Sequence, residues 1–286
     1  MRRELGKIFK VIRESKGFSQ KEVADGIISP AQLSRFERGV SSLNVESFYD
    51  CLKHMNVPLD EFQFIYHEYT QTQDVLFSEE LSKAYLARNT LKIQQILEEC
   101  QRLMTLYPKH RYYKFNTTVV KAVLYYCDNQ IKVSNKEVQD LTDYLFTVEE
   151  WGRYELWIFT NSVGLMTMTT LETFTKEMLH RTQFYRTIPD NRKRILRMLL
   201  NVIGMCIEQG YLHVAFKFLR QTEQFTQQEN DLYERILTMY YKGFYNYKMG
   251  NEEGISEMIR CSEIMSYLEC YSTAKQMKDQ IAVIKN

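Results

Sequence analysis

The sequence predicts an all-α chain in two parts: a five-helix N-terminal domain over residues 1–66 and a larger domain of stacked helix pairs over 67–286. Three observations carry this reading. Only 11 glycines and 4 prolines interrupt 286 residues rich in Leu, Met, Lys, Glu and Gln, so breakers are scarce and helix formers plentiful. Helix start and stop signals crowd into the first 65 residues. Beyond them, turn signals recur at steps of about 40 residues, the period of two-helix repeats. The length suffices for a small domain and a second, larger core.

In the first element, Leu5, Ile8 and Ile12 recur with helical period beside Phe9 and Val11, and Gly17 stops the helix. Ser19-Gln20-Lys21-Glu22 has the form of a capping box, in which the hydroxyl caps the next helix and Glu22 reaches back. Val23 and Ala24 supply the buried face of that short helix, and Gly26 ends it. Ser29-Pro30-Ala31-Gln32 reads as a second box with Pro at the first helical position. The third helix runs through Leu33 and Phe36 to Gly39. A fourth opens at Asn44 and buries Val45, Phe48 and Leu52; a fifth follows Pro58 with Leu59, Phe62 and Ile65. Two short helices joined by a turn and packed between others form a helix-turn-helix.

Charge is balanced along the chain, 37 basic residues against 36 acidic, so a bulk cationic coat for nucleic acid is excluded. Residues 1–42 are locally basic, with nine Lys or Arg against five Asp or Glu. The pattern Gly17-Phe18-Ser19-Gln20, Val23-Ala24, Ser29, Leu33-Ser34 and Phe36-Glu37-Arg38-Gly39 resembles the Cro and phage-repressor (XRE-like) family over about 60 residues. The resemblance implies that the third helix enters the major groove of DNA and contacts it through its first turns, here Ser29, Ala31, Gln32, Ser34 and Arg35. Arg35 suits guanine, because a guanidinium can bond O6 and N7 together, and Ala31 suits a thymine methyl. Gln20 is expected to bond a phosphate at the start of the second helix, with Lys21 and Arg38 adding phosphate contacts. Arg13 and Glu37 fall at positions that form a structural ion pair in that family; Glu37 facing phosphate would be repelled. Pro30 departs from the polar residues common in relatives, so base readout is expected to use fewer side chains. One such domain carries little surface, and specific binding normally takes two half-sites, so a homodimer is expected.

In the larger domain, Arg88-Asn89-Thr90-Leu91, Asp128-Asn129-Gln130-Ile131, Met168-Thr169-Thr170-Leu171, Gln209-Gly210-Tyr211-Leu212 and Met249-Gly250-Asn251 recur at steps of 40, 40, 41 and 40. Asn161-Ser162-Val163-Gly164 repeats in register as Asn201-Val202-Ile203-Gly204, with a degenerate copy near Tyr240–Phe244. The expected helix pairs are about 70–88/90–105, 110–128/131–147, 150–168/171–186, 190–209/211–226 and 231–249/251–268, with a closing helix near 271–284. The step from Gly210 to Ala215 resembles the tetratricopeptide pattern, although its full 34-residue signature is absent, so the repeats are TPR-like and a right-handed superhelix with a concave face is expected.

Together these features resemble the Rgg/GadR/MutR family of Gram-positive regulators, within the peptide-sensing group of the Rap, PlcR and PrgX types. The resemblance implies a cytoplasmic transcription regulator, dimeric through its repeats, with a short hydrophobic signalling peptide bound in the concave face. An extended peptide offers N–H and C=O groups that side-chain amides can satisfy both ways. Asn161 and Asn201, at equivalent positions on successive first helices, are the foremost candidates. Arg153, two turns before Asn161, is placed to meet a peptide carboxylate; Trp157 lies between them, and Arg194 and Arg197 extend a basic strip. Glycine inside a helix costs about 1 kcal/mol against Ala, so Gly164 and Gly204 point to close helix approach or to space for a ligand. The alternative is a ligand-independent regulator whose repeats serve only dimerisation or docking of another protein.

No phosphate-binding loop, G-x-S-x-G elbow, H-E-x-x-H helix or kinase string occurs, the five histidines are scattered, and no enzyme is expected. The cysteines at 51, 100, 127, 206, 261 and 270 lack metal-site spacing, so neither metal nor cofactor is expected. Cys51, on a helix that in related domains approaches its dimer mate, is a candidate for a redox-sensitive crosslink. The charged residues 1–16 do not read as a signal peptide, and the longest apolar stretch, near Met198–Ile207, falls short of a membrane span.

Overall fold

The computed structural model describes residues 2–67, 73–128, 131–181, 189–222, 225 and 229–285, and no strand occurs among them. Its backbone divides into two compact units, residues 1–80 and 81–286.

The first unit holds α1 (Arg2–Ser15), α2 (Gln20–Ala24), α3 (Pro30–Glu37), α4 (Val45–His54) and α5 (Leu59–Tyr66). Both reciprocal bonds of the Ser19–Glu22 capping box are present. At Ser29 only half of the expected box forms: the hydroxyl accepts from the Gln32 N–H, and the Gln32 side chain stays at the surface. Gly39 closes α3 in the left-handed region at φ 70°, where a Cβ would be strained, and its N–H bonds the Phe36 carbonyl. Phe9, Ile12, Val23, Ala24, Leu33, Phe36, Cys51, Leu52 and Phe62 form the core. Phe48 stacks edge-on to Phe62 at 5.0 Å and lies beside Phe9 and Phe36. Two residues expected inside are not there. Val11 and Val45 are exposed, because α1 turns Gly6, Phe9, Ile12 and Arg13 inward and α4 buries Cys51 and Leu52 instead.

The remaining helices are α6 (Gln73–Leu86), α7 (Thr90–Leu106), α8 (Arg111–Asp128), α9 (Asn135–Thr147), α10 (Arg153–Ser162), α11 (Met168–Arg181), α12 (Pro189–Glu208), α13 (Leu212–Thr222), α14 (Leu232–Lys248), α15 (Glu253–Tyr267) and α16 (Tyr271–Lys285). The repeats are TPR-like: α8, α10, α12 and α14 pack side by side as a layer of first helices, and α7, α13 and α15 pack against it. Polar links step across the layer with the sequence period. Tyr154 donates to Asn116 at 2.9 Å, Arg192 to Asp231 at 2.9 Å, Arg197 to Glu234 at 2.8 Å and Tyr240 to Gln280 at 2.7 Å, over separations of 37–40 residues. Gly210 turns at φ 81° between α12 and α13, and Ala215 is fully buried where the pair approaches.

The expected helix 150–168 is shorter than its pattern. Trp151 is fully buried ahead of it and donates to the Leu145 carbonyl, while the Gly152 N–H bonds Glu155 and sets the start. At the far end the Ser162 hydroxyl donates to the Ile158 carbonyl, and Val163–Leu165 tighten into a 3-10 turn. Residues 131–134 precede α9 rather than joining it, because Ser134 caps that helix. Parts of the expected helices (70–72, 182–186, 223, 224 and 226) and the turn residues Asn129 and Gln130 lie outside the described residues.

Candidate functional site

α3 has two faces. Leu33, Phe36 and Glu37 point into the unit, whereas Ser29, Ala31, Gln32, Arg35 and Arg38 are exposed and Ser34 is half-buried between them. Helical spacing of three and four residues aligns Ala31, Ser34, Arg35 and Arg38 along the outer side. Arg38 folds back, its Nε donating to the Ser34 carbonyl at 3.3 Å. Lys21 is exposed on α2. The α3 face is therefore short, solvent-facing and basic, as a groove-reading helix requires.

A buried ion pair holds this face in place. Arg13 Nε donates to Glu37 Oε1 at 2.6 Å and a terminal nitrogen donates to Oε2 at 3.0 Å, while the other donates to the Phe18 carbonyl at 2.6 Å. Hydrogen bonding to Glu37 raises the Arg13 pKa above its ordinary value. Gln20 joins the pair: its amide nitrogen donates to Glu37 Oε2 at 2.7 Å. One amide N–H is thus committed inside, so a phosphate would be met by the remaining N–H or by the backbone at the start of α2. Sequence reasoning missed Gly6. It lies flat on the α3 backbone, where a Cβ would come within 2.9 Å of the Phe36 carbonyl carbon. Glycine inside an otherwise regular helix was the available signal.

On the layer of first helices, Arg153, Trp157 and Asn161 fall one helical turn apart on the open side of α10. Arg153 is exposed, and Trp157 stacks on Tyr154, which in turn packs edge-on to Tyr112 at 5.1 Å. Asn161 is half-buried and bonds its own helix, Nδ2 donating to the Trp157 carbonyl at 2.7 Å. Asn201 occupies the matching exposed position on α12. Arg197 is placed differently from its expected role. Its guanidinium makes two bonds to Glu234 Oε1 and lies 5.2 Å from the Tyr233 ring centre. Glu234 is buried, so the Arg197 charge is committed to neutralising it. Cys51 is fully buried in the first-unit core, and burial pushes its thiol up to about 11, so an intersubunit crosslink through it would require opening that core.

Residues 77–279 match the family model of the C-terminal domain of the HTH-type transcriptional regulator Rgg, and residues 9–62 match a helix-turn-helix model. The chain belongs to the Rgg family. An Rgg regulator is a helix-turn-helix DNA-binding transcription regulator, not an enzyme. Among solved structures, this Rgg chain is similar to the SHP pheromone receptor Rgg2 of Streptococcus dysgalactiae, with 27% identity, coverage of 96% of this chain and 98% of the other, and a TM-score of 0.80. A protein of Listeria monocytogenes EGD-e matches at 24% identity over 100% and 99% of the two chains, with a TM-score of 0.85. The PrgX/cCF10 complex shares the fold at 15% identity, 98% and 99% coverage and a TM-score of 0.71. No helix among the described residues of this Rgg protein is long and apolar enough to cross a membrane.

Proposed function

We propose that this Rgg protein is a cytoplasmic, homodimeric regulator whose grip on promoter DNA is controlled by a short hydrophobic signalling peptide. Residues 1–66 form the DNA-binding domain, and residues 67–286 provide dimerisation and the peptide groove. Ser29, Ala31, Gln32, Ser34 and Arg35 face base edges, with Arg35 on guanine; Gln20, Lys21 and Arg38 meet phosphates. Arg153, Trp157, Asn161 and Asn201 line the groove, and Arg197 shapes it through Glu234 rather than meeting the peptide directly.

The observation that carries the peptide reading is the alignment of a charged, an aromatic and an amide side chain on the open side of α10. That side offers a carboxylate partner, an apolar platform and a backbone partner in turn. The receptor Rgg2 is named for its pheromone, and PrgX was solved in complex with cCF10, which supports a peptide ligand for this chain.

The experiment is a titration of short peptides fractionated from the producing organism into the protein bound to a duplex selected from random sequence, read by fluorescence anisotropy. A peptide that shifts duplex affinity in wild type and loses its effect in Asn161→Ala plus Asn201→Ala supports the reading. Duplex affinity indifferent to every fraction favours a ligand-independent regulator instead.

A further inference from the structure

The first helices α8 and α10 build an aromatic corner at the end of the layer that carries Arg153. The Tyr154 and Trp157 rings of α10 are nearly parallel, 21° apart with centres at 6.1 Å. That centre distance makes an offset stack, in which part of each ring face is left uncovered by the other. Tyr112 of α8 stands across the stack as a wall, at 82° to the Tyr154 ring with centres 5.1 Å apart. Tyr112 is 52% exposed, and Tyr154 and Trp157 are half-buried. The corner is held from behind by three helices. The Tyr154 hydroxyl donates to Asn116 Oδ1 at 2.9 Å and approaches the Tyr112 carbonyl oxygen at 3.2 Å, which pins α10 to α8. Tyr144 of α9 stacks on Phe115 at 4.6 Å, meets the Tyr154 ring edge-on at 6.4 Å and donates its hydroxyl to Glu155 Oε1 at 2.5 Å.

Charge decides what such a corner accepts. Glu155, the carboxylate of the cluster, has both oxygens engaged, Oε1 by Tyr144 and Oε2 by the Gly152 N–H at 2.9 Å. Arg111 and Arg153 are exposed at the rim. Arg111, the first residue of α8, holds its guanidinium 5.9 Å from the centre of the Tyr144 ring. Arg153 stands one turn before Trp157, and side chains four apart on a helix are neighbours, with Cβ atoms about 5–6 Å apart. An aromatic ring entering the corner stacks on the parallel pair and meets Tyr112 at an edge, a gain that an aliphatic side chain of similar size lacks. A cation would be drawn to the ring faces but repelled by both guanidiniums. A carboxylate beside the entering ring is attracted instead.

We propose that Tyr112, Tyr154 and Trp157 form a specificity corner for an aromatic residue of the peptide, whose neighbouring carboxylate is taken by Arg153. This rests on the peptide-groove reading above and narrows it: the ligand is a hydrophobic peptide carrying Phe, Tyr or Trp beside a carboxylate. Asn116 acts through Tyr154 and is a positioning residue. A C-terminal carboxylate and an Asp side chain share the required chemistry, and the test separates them.

The probes are hexapeptides randomised over Leu, Ile, Val and Gly except at fixed positions, made in four forms: Phe last with a free C-terminus, Leu last with a free C-terminus, Phe last with a C-terminal amide, and Phe fifth with Asp last and a C-terminal amide. Each is passed over immobilised full-length protein, and retained peptides are quantified by mass spectrometry. In wild type the Phe acid is expected to be retained about three- to tenfold above the Leu acid, the ratio for one aromatic pair. The Phe acid is expected about tenfold above the Phe amide, the ratio for one charge-assisted bond. Tyr112→Leu, at an exposed position, is expected to bring the Phe-to-Leu ratio to near one, and Tyr112→Phe, which keeps the ring, to preserve it. Arg153→Ala is expected to erase the acid-to-amide ratio and preserve the Phe-to-Leu ratio. Retention of the Asp form above an acid and an amide that bind alike assigns the carboxylate to a side chain. A Phe-to-Leu ratio near one in wild type, a ratio that survives Tyr112→Leu, or equal retention of the acid, amide and Asp forms overturns the proposal and leaves the peptide groove standing; retention of no form overturns both.

Discussion

The ring of Tyr241 occupies the space that a side chain at Gly204 would need, its Cε1 2.6 Å from the ideal Cβ position. The contact ties α14 to α12 at the same register at which Tyr126 ties α8 to α10. Gly204→Ala should therefore destabilise the repeat unit by about 1–3 kcal/mol through overpacking, although Ala alone favours helix. Tyr241→Ala in the same chain should recover part of that loss. Urea unfolding of the two single variants and the double variant measures it as a coupling energy; strict additivity would mean that the ring does not fill this space.

Glu37 is the acceptor for both Arg13 and Gln20 and is 2% exposed. Glu37→Ala leaves the buried Arg13 guanidinium with only the exposed Glu14 carboxylate at 3.3 Å and the Phe18 carbonyl as partners, so a loss of roughly 3 kcal/mol is expected in the first unit. Chemical denaturation followed by a probe in residues 1–66 checks it, and DNA binding should fall with folding rather than before it. Glu37→Gln, which keeps the shape and one acceptor, should cost less.

Arg197→Ala separates a structural role from a ligand role. A stability loss of about 1–3 kcal/mol is expected, because Glu234 is left buried without its partner. Arg153→Ala should leave stability unchanged and weaken peptide binding. Thermal melts paired with peptide titrations read both; weakened peptide binding by Arg197→Ala at unchanged melting temperature would return Arg197 to the groove.

Cysteine labelling tests the first-unit core. Under native conditions iodoacetamide should modify the half-buried Cys127 and Cys270 first and Cys51, Cys100, Cys206 and Cys261 later, since these four are buried and their thiols are raised to about 11. Mass spectrometry of timed quenches gives the order. No Cys51-dependent dimer band is expected on non-reducing gels of the folded protein.

Much of this was legible in the sequence, and what was not has physical causes. Caps and glycines placed α2 and α3 closely, because Ser19, Ser29 and Gly39 act through local backbone geometry. The 40-residue register foretold the links between first helices, because a repeated packing needs a repeated spacing. Two things were hidden. Asp231 and Glu234 read as ordinary surface acids, yet they are the buried partners of Arg192 and Arg197, and only tertiary packing reveals which ion pairs lose their water. Val11 lies beside a helical stripe whose direction is set by the close approach of Gly6 to α3, and Val45 opens an α4 that buries Cys51 and Leu52 instead.

The most direct test is a base-edge substitution. A duplex selected from random sequence is bound by wild type and by Arg35→Ala, and each guanine is replaced in turn by 7-deazaguanine, which lacks the N7 acceptor. At one guanine per half-site, 7-deazaguanine should cost wild type about 1–3 kcal/mol and cost Arg35→Ala nothing further, with the protein's stability unchanged. Equal affinity of wild type and Arg35→Ala for every duplex, at matched salt, would contradict the claim that the outer face of α3 reads DNA.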